Sequence, residues 1–318
     1  MRKNKGAREG TPTQELPGKA STALPWSRPK PVSEDAAAPA LVRALVESAN
    51  YREADRDVEF LDHPDNRGVR LQLDYAKAER LLRSHGVAHT IVVLGSARIP
   101  ERSAALRQLR EARKSASENP GDAERRQQLE IAERTAEKSR YYDVAREFGR
   151  LVGRHPDALP GGRLAVLTGG GPGIMEAANR GAHDVKAKSV GLNISLPAPQ
   201  FPNPYLTPEL CLLFHYFAIR KLHFLLRARA LVAFPGGYGT FDELFEVLTL
   251  VQTGKVKPLP VVLVGEEYWR QAFNIDFLVA EGVIAPKDAG LLCYAETAEQ
   301  IWGQIRKWHR HRQPGVPG

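Results

Sequence analysis

Pro235-Gly236-Gly237-Tyr238-Gly239-Thr240-Phe241-Asp242-Glu243 sits between two apolar segments of different character. Ahead of it, Ala230-Leu231-Val232-Ala233-Phe234 is a short continuous apolar run and reads as a buried parallel strand. Behind it, Leu244-Phe245-Glu246-Val247-Leu248-Thr249-Leu250-Val251 reads as a helix with its apolar face inward. A strand, a glycine-rich turn and a helix start thus follow one another. Glycines let the backbone turn sharply and come close to a ligand. The open N–H groups of a helix start face an anion, and the helix dipole favours negative charge there. The stretch therefore reads as a phosphate seat with the Glu243 carboxylate beside it. A structural reading stands next to that one. Thr240 and Glu243 have the spacing of a capping box, in which each side chain satisfies the other residue's backbone donor.

Composition bounds the answer loosely. The chain has 318 residues, 42% hydrophobic and 26% charged, as is ordinary for a globular protein. That length accommodates one large α/β domain with appendages, or two domains. The formal net charge of +8 permits phosphate-bearing partners, from nucleotides to nucleic acid. Much of the excess lies near the ends, at Arg2, Lys3, Lys5 and Arg8 and at Arg306, Lys307, Arg310 and Arg312. Such basic ends read as solvated tails rather than as a nucleic-acid surface. The 2 cysteines, Cys211 and Cys293, have no zinc or redox spacing and read as buried free thiols. No stretch has the length and apolarity to span a bilayer, and the basic start lacks a hydrophobic secretion core, so a cytoplasmic protein is expected.

Along the chain, residues 1–38 are rich in Pro, Lys, Ser, Thr and Gly and read as a disordered tail. Residues 39–88 read as an N-terminal helical cap. Within it, helical spacing covers 40–48 and 71–84, with Leu73, Tyr75, Ala76, Leu81 and Leu82 as candidate core positions. Residues 89–312 read as a Rossmann-like domain and 313–318 as a tail. In that domain, strands are expected at 90–94, 164–167, 189–194, 230–234, 259–264 and 291–294. Helices are expected between them, including long ones at 214–229 and 268–281. The charged segment 101–140, broken at Asn119-Pro120-Gly121-Asp122, reads as an inserted helical hairpin. Strands alternating with helices imply an α/β fold, a doubly wound parallel sheet covered on both faces.

Three of these strands end in loops suited to anions or polar ligands. They are Gly95-Ser96-Ala97-Arg98, Gly169-Gly170-Gly171-Pro172-Gly173 and the Pro235 stretch. The first offers the Ser96 hydroxyl and the Arg98 guanidinium. The second offers backbone at Gly170 and Gly171. Ligands of open parallel sheets bind beyond the carboxyl ends of the strands, so three such loops point to a nucleotide-sized ligand. An ordinary dinucleotide fingerprint fails, because Ile174 stands where the last glycine belongs. No Gly-Lys-Ser/Thr follows any of the loops, which removes an ATPase P-loop. Upstream, Arg220 and Lys221 interrupt an apolar helix. They fit a snorkelling pair at its edge or, for Arg220, a cleft residue holding a substrate.

These motifs resemble the LOG-type ("lonely guy") nucleotide phosphoribohydrolases, formerly labelled lysine decarboxylases. The resemblance rests on Pro235 to Glu243 as P-G-G-x-G-T-x-x-E and on the Arg220-Lys221 pair. It also rests on the glycine loop with Met175-Glu176-Ala177-Ala178-Asn179 and on the Gly95–Arg98 strand end. It covers about residues 91–308 and reaches the 67–75 stretch. The departures are the 101–140 insertion and the N-terminal cap, as in longer bacterial-type members.

The resemblance implies hydrolysis of the N-glycosidic bond of a nucleoside 5′-monophosphate, AMP-like or a cytokinin riboside monophosphate, to free base and ribose 5-phosphate. It implies Arg220 and Glu243 as the catalytic pair, and Gly236, Gly237, Gly239 and Thr240 around the 5′-phosphate. Glu176, Lys221 and Thr249 are implied as substrate contacts, with Ser96, Arg98, Gly170, Gly171 and Met175 completing the set from the matching motifs. No metal or organic cofactor is implied, and at least a homodimer is. A decarboxylase would need a Schiff-base lysine for pyridoxal phosphate, and no residue here is marked as one. The competing expectation is a non-catalytic nucleotide-binding module on the same fold.

Overall fold

The structure is a computed structural model that describes residues 28–311 other than Pro160 and Pro199. The expected 1–38 tail lies outside the described residues up to position 27. So do the 313–318 tail and the basic residues Arg2, Lys3, Lys5, Arg8 and Arg312. Two compact units divide at Asn66/Arg67, so the expected 39–88 cap straddles the division. The first unit holds helices α1 (Ala38–Val46) and α2 (Val58–Asp62). Asp57 caps α2 by accepting from the Phe60 amide at 3.1 Å.

The second unit opens with α3 (Arg67–Ser84) and β1 (His89–Leu94), then α4 (Arg102–Glu118), α5 (Ala123–Lys138), α6 (Arg140–Arg154), β2 (Leu164–Thr168), α7 (Ile174–Asp184), β3 (Ser189–Ile194) and β4 (Cys211–Phe214). It continues through α8 (Phe217–Leu226), β5 (Ala228–Ala233), α9 (Tyr238–Gln252), β6 (Val261–Val264), α10 (Glu266–Ala272), α11 (Ile275–Ala280), α12 (Pro286–Ala289), β7 (Leu292–Ala295) and α13 (Ala298–His311). The seven strands form one sheet in the order β4-β3-β2-β1-β5-β6-β7, and every pair is parallel. The strand order reverses between β1 and β5, where Leu94 pairs with Ala233.

Alternation along each strand builds two cores. Ile91, Val93, Val166, Val232 and Val262 face α6, α7 and α13. Val92, Leu94, Leu167, Leu231 and Leu263 face the other way, with Ala78 and Leu82 of α3, Phe224 of α8, Leu244 and Val247 of α9, and Trp269 of α10. Both faces of the central strands are covered, which is why they read as unbroken apolar runs. This is the doubly wound Rossmann-like arrangement.

Several expectations need correction. The segment 211–214 is a strand, β4, and the helix expected from residue 214 begins at Phe217. Only alternate residues of β4 are buried, and Leu213 is 63% exposed, so this edge strand carries too short an apolar signal to separate it from the helix behind it. The helix expected over 268–281 is two pieces, because Asn274 accepts from the Phe277 amide at 3.0 Å and starts α11 afresh. On α3 the buried residues are Ala78 and Leu82, while Leu73, Tyr75 and Ala76 are exposed. The two cysteines are free thiols that are only half-buried. The segments 102–118 and 123–138 form the two helices of a hairpin as expected.

Candidate active site

The three loops meet at the strand-order reversal. The Ser96 amide, just past β1, donates to the Pro235 carbonyl, just past β5, at 3.0 Å. The Ile174 amide, at the start of α7, donates to the Ser96 carbonyl at 3.2 Å. Ser96 is therefore the joint between the second glycine loop and the Pro235 loop. Its hydroxyl accepts from the Arg98 amide at 3.0 Å. The Arg98 side chain is exposed and has no ion pair among the described residues.

Each loop has its own reason for its shape. Gly170 and Gly173 have φ of 75° and 71°, the left-handed region. A Cβ at Gly173 would strike the Ser96 carbonyl, so the approach of the two loops depends on its absence. Buried Asn203 clasps the second loop. Its Nδ2 donates to the carbonyls of Gly170 and Gly171 at 3.1 and 3.0 Å, and to Asn179 Oδ1 at 3.0 Å. Thr168 adds a hydroxyl bond to Asn179 Oδ1 at 2.7 Å and accepts from the Gly170 amide. Met175 lies under this loop, its Sδ 2.9 Å from where a Cβ of Gly169 would stand. The Pro235 loop is held by the Tyr268 hydroxyl, which donates to the Gly236 carbonyl at 2.5 Å. Asn203, Thr168 and Tyr268 are supporting residues that the sequence analysis missed. Asn203 between two prolines was the one available signal.

The capping-box reading of Thr240 and Glu243 fails. The N-cap of α9 is Gly237, no side chain caps the helix, and Thr240 is buried in its first turn. The Tyr238 and Gly239 amides at the start of α9 have no partner within their own helix, whereas the Thr240 amide donates to the Gly237 carbonyl at 2.9 Å, and Gly237, Tyr238 and Gly239 are exposed. Glu243 instead faces Arg220 of α8. Arg220 Nη2 donates to Glu243 Oε1 at 2.5 Å, and the two side chains are 12% and 14% exposed. The guanidinium carbon lies 5.3 Å from the ring centres of both Phe217 and Phe224, which hold it inward rather than letting it snorkel. Its Nη2 also comes within 4.0 Å of the Cβ position of Gly169, so Arg220 abuts the second loop. Burial pushes the Glu243 carboxyl above its ordinary value, and the Arg220 charge draws it only partly back.

Lys221, next to Arg220 on α8, bonds Asp242 at 2.6 Å and Glu246 at 3.4 Å, the residues flanking Glu243 on α9. Burial pulls its ammonium down, but these two carboxylates outweigh that and leave it raised. Glu176, in the first turn of α7, is half-buried and accepts from the Tyr142 hydroxyl at 2.7 Å. The start of α8 is anchored from α3, where Asp74 Oδ2 accepts the His215 and Tyr216 amides at 2.9 Å each. The structure thus brings together Ser96, Gly170, Gly171, Met175, Arg220, Gly236 and Glu243, with Gly237, Gly239 and Thr240 on the same helix start. Thr249 is not among them. Its hydroxyl donates to Phe245 within α9, and it lines a small cavity with Phe273 and Leu278. A larger cavity of about 1170 Å³, between α8, α9 and α13, also lies away from the glycine loops.

A family profile described as "Possible lysine decarboxylase" matches residues 175–305. The cytokinin riboside 5′-monophosphate phosphoribohydrolase LOG3 of Arabidopsis thaliana is 31% identical over 176 residues, 54% of this chain and 77% of that protein. The chain belongs to the LOG family. The rice enzyme of the same description, LOG of Oryza sativa subsp. japonica, is 30% identical over 184 residues, 56% of this chain and 72% of that protein. Among solved structures, the molybdenum cofactor carrier protein of Chlamydomonas reinhardtii aligns with 22% identity and a TM-score of 0.37 over 54% of this chain and 89% of that one. The X-ray structure of TM1055 aligns with 18% identity and a TM-score of 0.40 over 69% and 99%. Among the described residues of this LOG-family protein, no helix is long and apolar enough to cross a membrane.

Proposed function

We propose that this LOG-family protein hydrolyses the N-glycosidic bond of a nucleoside 5′-monophosphate, releasing free base and ribose 5-phosphate. One observation carries the reading. The buried Arg220–Glu243 pair stands where three glycine-bearing loops meet at the reversal of strand order. That is where an open parallel sheet binds ligands.

The 5′-phosphate sits on the start of α9, at Gly236, Gly237, Gly239 and Thr240, where the Tyr238 and Gly239 amides, which have no helix partner, and the helix dipole favour an anion. Anchored there, the sugar lies against Glu243. The C1′–N bond breaks with its electron pair leaving on the base, and positive charge builds on the ribose, as in glycoside hydrolysis. Glu243 stabilises that charge and takes a proton from the water that adds to C1′, while the base takes its proton from solvent. The raised affinity of the Glu243 carboxyl for protons suits this role. Arg220 stays charged and donates no proton. It orients Glu243 and contacts the substrate. Ser96, Arg98, Gly170, Gly171, Met175, Glu176 and Lys221 complete the substrate's surroundings. We read the protein as a homo-oligomer, supported by the apolar side chains of α8 at Phe217, Leu222 and Leu226, which are 51%, 42% and 46% exposed.

The test is a panel of AMP, GMP, CMP, UMP and a prenylated-adenine riboside monophosphate, with chromatography of released base and Glu243→Gln and Arg220→Ala as controls. Base release that both substitutions abolish is expected. A chain that binds these nucleotides but frees no base from any of them is a binding module, and the hydrolase reading is lost.

A further inference from the structure

A second polar network stands beside the glycine loops, centred on Tyr142 near the start of α6. Tyr142 is 1% exposed. Its hydroxyl donates to Glu176 Oε1 at 2.7 Å, and Arg180 Nη1 reaches the same hydroxyl oxygen at 3.4 Å. Arg180 also donates to Glu101 Oε2 at 2.9 Å, just past the first loop. Burial, and then Glu176, push the Tyr142 phenol up, so it remains a proton donor. The second Glu176 oxygen, Oε2, takes no hydrogen bond among the described residues.

The hydroxyl is not what joins α6 to α7. A Cβ at Gly149 would strike the Ala178 carbonyl, and one at Gly181 the Arg146 carbonyl, so the two helices already touch backbone to backbone. Arg146 and Arg150 both pair with Asp184 at 2.7 Å at the far end. What the hydroxyl does is fix one oxygen of a half-buried carboxylate and leave the other open, one turn past the second glycine loop.

Resting on the hydrolase reading, we infer that Tyr142 is a positioning residue, holding Glu176 so that its open oxygen accepts a hydrogen bond from a ribose hydroxyl of the nucleotide. A carboxylate is an acceptor only, and reading a ribose 2′-hydroxyl is a task that acidic residues perform in related sheets. With one oxygen already occupied, the carboxylate cannot swing to follow a poorer ligand. The site therefore prefers ribonucleotides to 2′-deoxyribonucleotides, and the preference depends on a residue that never touches the ligand.

The experiment compares AMP with dAMP on the wild type, Tyr142→Phe, Glu176→Gln and the double variant. Tyr142→Phe is expected to lower kcat/KM for AMP about ten-fold, chiefly through KM, because a hydrogen bond to a charged group is lost. It should leave dAMP nearly unchanged, so that the ratio between the two collapses. Glu176→Gln should collapse the same ratio, and the double variant should be no worse than Glu176→Gln alone. If AMP and dAMP fall together, if the two substitutions add, or if Tyr142→Phe does not fold, the hydroxyl is a structural clasp and the inference is wrong. If the wild type frees no base, equilibrium dialysis of AMP and dAMP makes the same comparison as Kd values, and only the hydrolase reading falls. A wild type that binds neither nucleotide removes both.

Discussion

Arg220 Nη2 and Glu243 Oε1 meet at 2.5 Å although one residue precedes β5 and the other follows it. The strand carries the chain from one partner to the other, so the pair exists only when α8 and α9 both dock on the same face of the sheet. Because both side chains are nearly buried, the two substitutions differ in kind. Glu243→Gln keeps the shape and an acceptor for Arg220. It should leave nucleotide binding within a few-fold and cut kcat by about 100- to 10,000-fold. Arg220→Ala strands a buried carboxylate, and should cost about 3–5 kcal/mol of stability as well as activity. Base-release kinetics, nucleotide titration and urea denaturation of the two variants separate these effects.

The raised Glu243 carboxyl sets the sign of the pH dependence. In the proposed reaction its working form is the carboxylate, so activity should rise with pH through a limb lying above the ordinary carboxylate range. The stability effect has the opposite sense. A carboxyl whose folded pKa is raised binds its proton more tightly when folded, so its contribution worsens as pH rises from the unfolded value through the folded one. A kcat/KM profile whose acid limb sits at an ordinary glutamate value would show that another group controls the reaction.

Glu79 has the reverse signature. Arg227 Nη1 and Nη2 donate to its two oxygens at 2.9 and 2.7 Å, tying α3 to the end of α8. That fork, aided by Arg83 and opposed by burial, holds the carboxyl at about 2 against an ordinary 4.5. The folded value is depressed, so its stabilisation is full above the unfolded value and is lost as pH falls through the folded one. At neutral pH it amounts to on the order of 3 kcal/mol. Glu79→Gln should lower stability near neutrality and flatten its fall between about pH 4.5 and 2. Denaturant midpoints measured across that range would test this, and parallel curves for the two proteins would refute it.

Most of the sheet is legible in the sequence because its strands are buried on both faces. Ile91 to Leu94 and Val261 to Val264 have no polar face to hide their period. β4 is different. It lies at the sheet edge with Leu213 in solvent, and its apolar run continues into α8, so nothing local marks where strand becomes helix. The second glycine loop is legible for a similar local reason, since its turn puts Gly170 and Gly173 in the left-handed region. The supports of the site are not. Asn203 acts across 33 residues, Asp74 across 141 and Tyr142 across 34, and no spacing rule relates such partners. Thr249 shows how little a shared helix says about placement. It shares a helix with Glu243, but its hydroxyl is satisfied by Phe245 one turn back and it lines a different cavity.

The proposed function divides the glycines into those the fold needs and those the ligand needs, and two substitutions tell them apart. Gly173 has φ of 71°, and a Cβ there would run into the Ser96 carbonyl, which is backbone and cannot step aside. Gly173→Ala should therefore cost about 2–4 kcal/mol, from left-handed strain plus overpacking, and should break the joint between the first two loops. Gly239 lies in the first turn of α9 with nothing within 4 Å of its Cβ position. Alanine there fits the helix and should change stability by no more than about 0.5 kcal/mol. On the proposed reading, its methyl group would project into the space that the phosphate takes. Gly239→Ala should thus keep a wild-type thermal midpoint while KM for the nucleotide rises, with kcat falling less. If Gly239→Ala leaves KM untouched, the phosphate does not sit on the start of α9, and the anchor that places the sugar against Glu243 must lie elsewhere.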